Sequence, residues 1–67
     1  MNLTIVFFEP MNSGWSNPKS PDWFSTSGIT YQTQEESEIV NHNHKKYHKN
    51  CHIKYRVAKT TVTKEIV

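Results

Sequence analysis

All three prolines and both glycines of this chain fall between Pro10 and Gly28. These two residue types punctuate helices and strands, so regular structure has to come mainly from what precedes and follows that stretch. Asn12-Ser13-Gly14, Pro18 and Pro21 are turn formers. Segment 10–28 therefore reads as a loop, and it carries Trp15, Trp23 and Phe24. Loops of that length seldom lack structure of their own in a compact domain. A short hidden strand near Trp23-Phe24, or a functional role, is the expectation.

Before the loop, Leu3–Phe8 is a run of β-branched and aromatic residues that ends at Glu9-Pro10. It reads as a strand terminated by the proline. After the loop, Ile29-Thr30-Tyr31-Gln32 alternates as a short strand does. Thr33-Gln34-Glu35-Glu36 then matches a capping box, with the threonine accepting from the Glu36 amide and Glu36 reaching back to the Thr33 amide. The helix it opens should run from Gln34 to about Lys49, with Ile39, Val40 and Tyr47 as a thin apolar stripe and Asn50 as its C-terminal cap. His52–Val57 alternates again, with Ile53, Tyr55 and Val57 on one face and Lys54 and Arg56 on the other. Thr60–Val67 is strand-like too, but Val62 and Ile66 have the opposite parity. A bulge or bend near Lys59 would reset the faces within one long strand; a separate fourth strand is the alternative. The pattern predicts a single α+β domain over 1–67, with one α-helix on a small, mainly antiparallel sheet of three or four strands. The order is strand, loop, strand, helix, strand, the last strand long or bent.

A chain of 67 residues buries only about 60% of the surface its unfolded form exposes. That leaves little room for a catalytic pocket with supporting layers. Apolar content is 34%, yet eight residues are aromatic: Phe7, Phe8, Trp15, Trp23, Phe24, Tyr31, Tyr47 and Tyr55. An aromatic core is expected rather than disorder. Cys51 is the only cysteine, which excludes an internal disulfide and fits a reducing compartment. Leu3–Phe8 is too short for a secretory signal or a membrane span. A cytoplasmic, intracellular protein with no membrane partner is expected. The bias toward Asn, Lys, Ile and Thr is that of an AT-rich coding sequence, such as a virus or mobile element carries.

Charge is unevenly divided. Residues 1–38 set Lys19 against Glu9, Asp22, Glu35, Glu36 and Glu38, a balance of −4. Residues 39–67 set Lys45, Lys46, Lys49, Lys54, Arg56, Lys59 and Lys64 against Glu65, a balance of +6, and contain all four histidines. Three readings of segment 42–56 compete. The plainest is helix electrostatics, with Glu35, Glu36 and Glu38 at the helix N-terminus and Lys45, Lys46 and Lys49 at its C-terminus, each opposing the macrodipole. The second is a zinc site from His44 and His48, four apart on one helix face, with Cys51 and His52 following. The third is nucleic-acid contact by Lys45, Lys46, Lys49, Lys54 and Arg56, with Tyr47 and Tyr55 near for stacking.

Cys51 and His52 have the residue types of a thiolate–imidazole pair, but neighbours on a strand point to opposite faces, so no catalytic residues are assigned and no enzyme is expected. No cofactor is implied. The function expected is a non-catalytic binding module, a regulator or inhibitor that contacts another protein. Trp15, Trp23 and Phe24 would be its apolar anchors, and Lys45, Lys46 and Lys49 would steer an acidic partner. Thr60–Val67, at a sheet edge, offers a route to self-association.

Overall fold

The computed structural model of the chain describes residues 1–17, 19–49 and 52–66. It contains a long strand β1 (Asn2–Asn12), a two-residue strand β2 (Phe24–Ser25), a helix α1 (Gln34–Tyr47) and a second long strand β3 (Tyr55–Glu65). The sheet order is β2-β1-β3, with both pairings antiparallel. This is the α+β arrangement the sequence pattern predicts, one helix on a small antiparallel sheet.

β1 and β3 pair over their full length, from Asn2 opposite Glu65 to Asn12 opposite Tyr55. The register never slips, so the bulge or bend expected near Lys59 is absent, and no fourth strand forms among the described residues. The change of apolar parity has another cause. Tyr55 and Val57 share the helix-covered face with Asn12 and Pro10, whereas Val62 lies with Leu3, Ile5 and Phe7 on the opposite face. The ribbon is apolar on one face at one end and on the other face at the other end.

Pro10 does not end β1. Its carbonyl accepts from the Thr26 N–H at 2.8 Å, and its missing N–H falls on the side of β2, the short edge strand, where one ladder bond is all that is lost. The strand expected at Ile29–Gln32 reduces to a single bridge, in which Phe8 and Tyr31 exchange N–H to C=O bonds at 2.8 and 2.7 Å. The strand suspected near Trp23-Phe24 is β2 itself, and the strand expected from His52 begins at Tyr55.

Helix α1 starts where its cap predicts. The Thr33 hydroxyl accepts from the Glu36 N–H at 3.2 Å and donates to the Glu36 carboxylate at 3.1 Å, so the reciprocal bond goes to the hydroxyl rather than to the Thr33 amide. The helix stops at Tyr47, two residues short of expectation, with the His48 N–H bonded to the His44 carbonyl at 2.9 Å. Asn50, the expected cap, lies outside the described residues.

The expected apolar stripe is not the buried one. Ile39 and Tyr47 are 60% and 87% exposed. The face against the sheet is Ser37, Val40, Asn41 and His44, at helical spacing but mostly polar. The expected aromatic core is absent as well, since none of the eight aromatic residues is buried. The described residues that are buried are Pro10, Asn12, Ser13, Ser37, Asn41 and Ile53.

Hydrogen bonds take the place of hydrocarbon in that interior. The Gly14 N–H donates to Asn12 Oδ1 at 2.9 Å, and Asn12 Nδ2 donates to Thr26 Oγ1 at 3.1 Å. The Thr26 hydroxyl donates to Asn41 Oδ1 at 2.7 Å, and Asn41 Nδ2 donates to the Arg56 carbonyl at 2.9 Å. This one chain of bonds ties β1, the β2 turn, the helix and β3 together. Ser37 adds a bond to the Phe8 carbonyl at 3.0 Å. Buried polar groups are tolerable only when paired, and these are.

The fold is a thin plate, 48 × 23 × 15 Å, with a radius of gyration of 14.3 Å. A compact domain of this length would have a radius near 11 Å. The excess comes from the ribbon. Strand β1 is about 36 Å long at ~3.3 Å per residue, while the helix spans about 21 Å and covers only the end near Asn12 and Tyr55.

Candidate functional site

Trp15, Phe24, Tyr47 and Lys45, Lys46, Lys49 and Lys54, all exposed, lie at the helix-covered end of the ribbon, where α1 terminates beside Tyr55 and the loop after β1 turns back. Ser13 anchors that loop. It is fully buried; its N–H donates to the Lys54 carbonyl at 2.9 Å, and its hydroxyl accepts from the Lys54 N–H at 2.8 Å. Gly14 follows with φ 52°, a left-handed conformation that glycine adopts without strain.

Serine and asparagine side chains hold the rest of the loop. Ser16 Oγ donates to the Ser13 carbonyl at 2.6 Å and accepts from the Asp22 N–H at 3.0 Å. Asn17 Oδ1 accepts from the Lys19 N–H at 3.0 Å. These bonds fix the backbone on both sides of Trp15, whose side chain is 85% exposed. Phe24 is also exposed, and its ring lies against the Gly14 backbone: a Cβ built on Gly14 would stand 3.6 Å from it. Trp23 behaves differently. Its ring lies under the Arg56 guanidinium, 4.3 Å away, on the sheet face turned from the helix.

Lys45, Lys46 and Lys49 are exposed at the helix C-terminus, with Tyr47 among them. Lys54 is exposed opposite Ser13, and Arg56, two residues on along the same extended segment, projects to the sheet face turned from the helix, onto Trp23. The five cations of the nucleic-acid reading are thus divided between two faces.

His44 and His48 stack with ring centroids 4.3 Å apart, and His44 Nδ1 lies 2.8 Å from the Tyr55 hydroxyl. Partial burial, reinforced by the neighbouring His48, holds the His44 imidazole below its ordinary pKa. Burial raises that of Tyr55. Among the described residues no three or more His, Cys, Asp or Glu side chains converge as a metal cluster would require. Cys51 lies outside the described residues, and His52 is exposed.

An open groove of about 360 Å³ runs between the helix and β3, lined by Glu38, His42, Lys45, Tyr55 and Val57 among others. It mixes acid and base, and the Tyr55 hydroxyl on its wall is the one paired with His44 Nδ1. Sequence reasoning missed the Ser13 anchor and the Asn41 bridge; the only signal for them was a small or polar residue at positions where burial was not anticipated.

Among the described residues no helix is long and apolar enough to cross a membrane. Compared with protein families, curated proteins and solved structures, the chain matches none.

Proposed function

We propose that the protein is a small, non-catalytic, intracellular binding module, a regulator or inhibitor that contacts another protein through the loop end of its ribbon. Trp15 and Phe24 are the anchors. Lys45, Lys46 and Lys49 steer an acidic partner toward them. Trp23 supports the site from the other face through Arg56.

The observation that carries this reading is Trp15. It is a large aromatic side chain held out in solvent by a backbone bonded on both sides. An anchor whose backbone is fixed in advance loses little conformational freedom on binding, which is how rigid aromatic residues come to dominate interfaces. Exposure of this kind contributes nothing to the fold, so a use outside the chain accounts for it best.

The test is capture of partners from host lysate, with and without nuclease, by the wild-type protein and by Trp15→Ala. Stability of the variant should stay within about 0.5 kcal/mol of wild type, as for exposed positions generally. Partner affinity should fall by about 2 kcal/mol or more, the usual size for an interface hot spot. A partner that binds Trp15→Ala as well as wild type would overturn the reading. Material that disappears with nuclease, and whose binding weakens steeply with salt, would move the function to nucleic acid and to Lys45, Lys46, Lys49, Lys54 and Arg56.

A further inference from the structure

At the uncovered end of the ribbon the outer edge of β1 is left without a partner, and we propose that it pairs with the same edge of a second copy of this chain. The proposal is independent of the loop end and stands on the backbone.

Strand β1 has β3 along one edge. On its other edge it has β2 at Met11 and Asn12 and the Tyr31 bridge at Phe8, with no other described residue paired to it beyond. Phe8 directs both its N–H and its C=O to Tyr31. Pro10 directs its C=O the same way, while the Met1 carbonyl points to Ile66 beside β3. Antiparallel strands alternate strictly in this respect. Asn2, Thr4 and Val6 therefore present donor and acceptor groups outward, unpaired among the described residues, over the stretch Asn2–Phe8, which has no charged residue and no proline. Native edges are ordinarily blunted by those devices.

The outer edge of β3 is blunted. It carries Arg56, Lys59 and Lys64, and pairing two β3 strands about their midpoint, Thr60, would set Arg56 of one copy opposite Lys64 of the other. Charge therefore selects the β1 edge, which has none to oppose.

The geometry also selects a register. With Thr4 on the two-fold axis, Asn2 faces Val6 of the second copy, Thr4 faces its equivalent, and Val6 faces Asn2. Each opposed pair then exchanges both of its hydrogen bonds. A shift that brought Thr4 opposite Val6 would set Asn2 against Phe8, whose groups are already bonded to Tyr31. Running antiparallel, the two copies keep their helices at opposite outer ends of a four-stranded sheet in the order β3-β1-β1-β3.

Side chains agree with this arrangement. Leu3 is 45% exposed, and none of Leu3, Ile5, Phe7 and Val62 is buried, although all four share one face. In the paired sheet Leu3 stands opposite Ile5 of the second copy, and the two apolar patches become one. The contact is short, so it belongs at the low end of specific interface sizes, where association is weak and readily reversible.

Sedimentation equilibrium across a concentration series, with amide hydrogen exchange by NMR, tests the proposal. The expected result is a reversible monomer–dimer equilibrium in which the amides of Thr4 and Val6 gain protection as concentration rises, while those of Ile5 and Phe7 are protected throughout. Thr4→Pro removes an outward N–H and leaves the β1–β3 bonds intact, so it should be folded and monomeric. Thr4→Lys sets two ammonium groups across the axis and should be monomeric even if the proline variant fails to fold. A wild-type chain that stays monomeric at every concentration overturns the proposal. So does a dimer that survives Thr4→Lys, or one whose added protection falls on β3.

Discussion

Asn41 donates from Nδ2 to the Arg56 carbonyl at 2.9 Å, so a side chain of the helix is bonded to the backbone of the outer strand across the centre of the molecule. Its Oδ1 is bonded in turn to the Thr26 hydroxyl. Asn41→Ala should destabilise the protein by about 2 kcal/mol, because it strands buried polar partners and the better helix propensity of alanine recovers only a fraction. In a domain of this size that is a fall of roughly 8–16 °C in Tm. Asn41→Asp should be worse at neutral pH, since a carboxylate cannot donate to the Arg56 carbonyl, and should recover in part when acid protonates it. Thermal melts at pH 7 and pH 4 check both.

Gly14 gives a cleaner backbone test. A Cβ there meets the Phe24 ring at 3.6 Å and Asn12 Oδ1 at 3.8 Å, both ordinary contacts. The cost of Gly14→Ala is then the left-handed conformation alone, about 1 kcal/mol. Gly14→Asn should cost less, because asparagine tolerates that region. Equal losses for the two substitutions in denaturant titration would show that crowding, not φ, decides.

The helix cap predicts a third outcome. Thr33→Ala removes the acceptor for the Glu36 N–H and should cost about 1 kcal/mol. Thr33→Asp keeps an acceptor and adds a charge favoured at a helix N-terminus, so its stability should match or exceed wild type. Far-UV circular dichroism melts separate the two.

The expected pH dependence follows from His44. Its folded-state pKa lies below the ordinary 6.5, first through burial and then through His48. As pH falls through and below that value, the unfolded chain takes up the proton before the folded one, so stability should decline on the acid side of neutrality. His48→Ala should shallow the decline without abolishing it, because burial is the larger cause. At the alkaline end, Tyr55 titrates above its ordinary 10.0 when folded, and stability should decline again once pH passes 10. Melting temperature against pH, paired with the NMR titration of the histidines, measures both limbs.

Local chemistry was legible in the sequence and long-range chemistry was not. Thr33 and Glu36 are three residues apart, and the helix begins where they say. Pro10 carried the opposite message, that the strand should stop, and the sheet overruled it because the absent N–H faces a two-residue neighbour. The helix face was misread for the same reason. Periodicity points to apolar residues, so it selected Ile39 and Tyr47. The side chains that enter the interior are Ser37 and Asn41, chosen by carbonyls at Phe8 and Arg56 that lie far off in the chain. The aromatic residues marked a surface rather than a core. Trp15 and Phe24 were legible as candidates; the Ser13 anchor that presents Trp15 was not, since its partner is Lys54.

The hydrogen-bonded interior has a calorimetric consequence. Exposing apolar surface raises the heat capacity on unfolding and exposing amide and hydroxyl surface lowers it, and an ordinary chain of 67 residues would show roughly 0.8–1.0 kcal/mol/K. Here the groups released from the interior are largely amides and hydroxyls, so the increment should fall below that range. The stability curve then flattens. A protein held together in this way keeps much the same modest margin in the cold as in the warm, and it loses that margin over a broad span of temperature rather than at a sharp threshold.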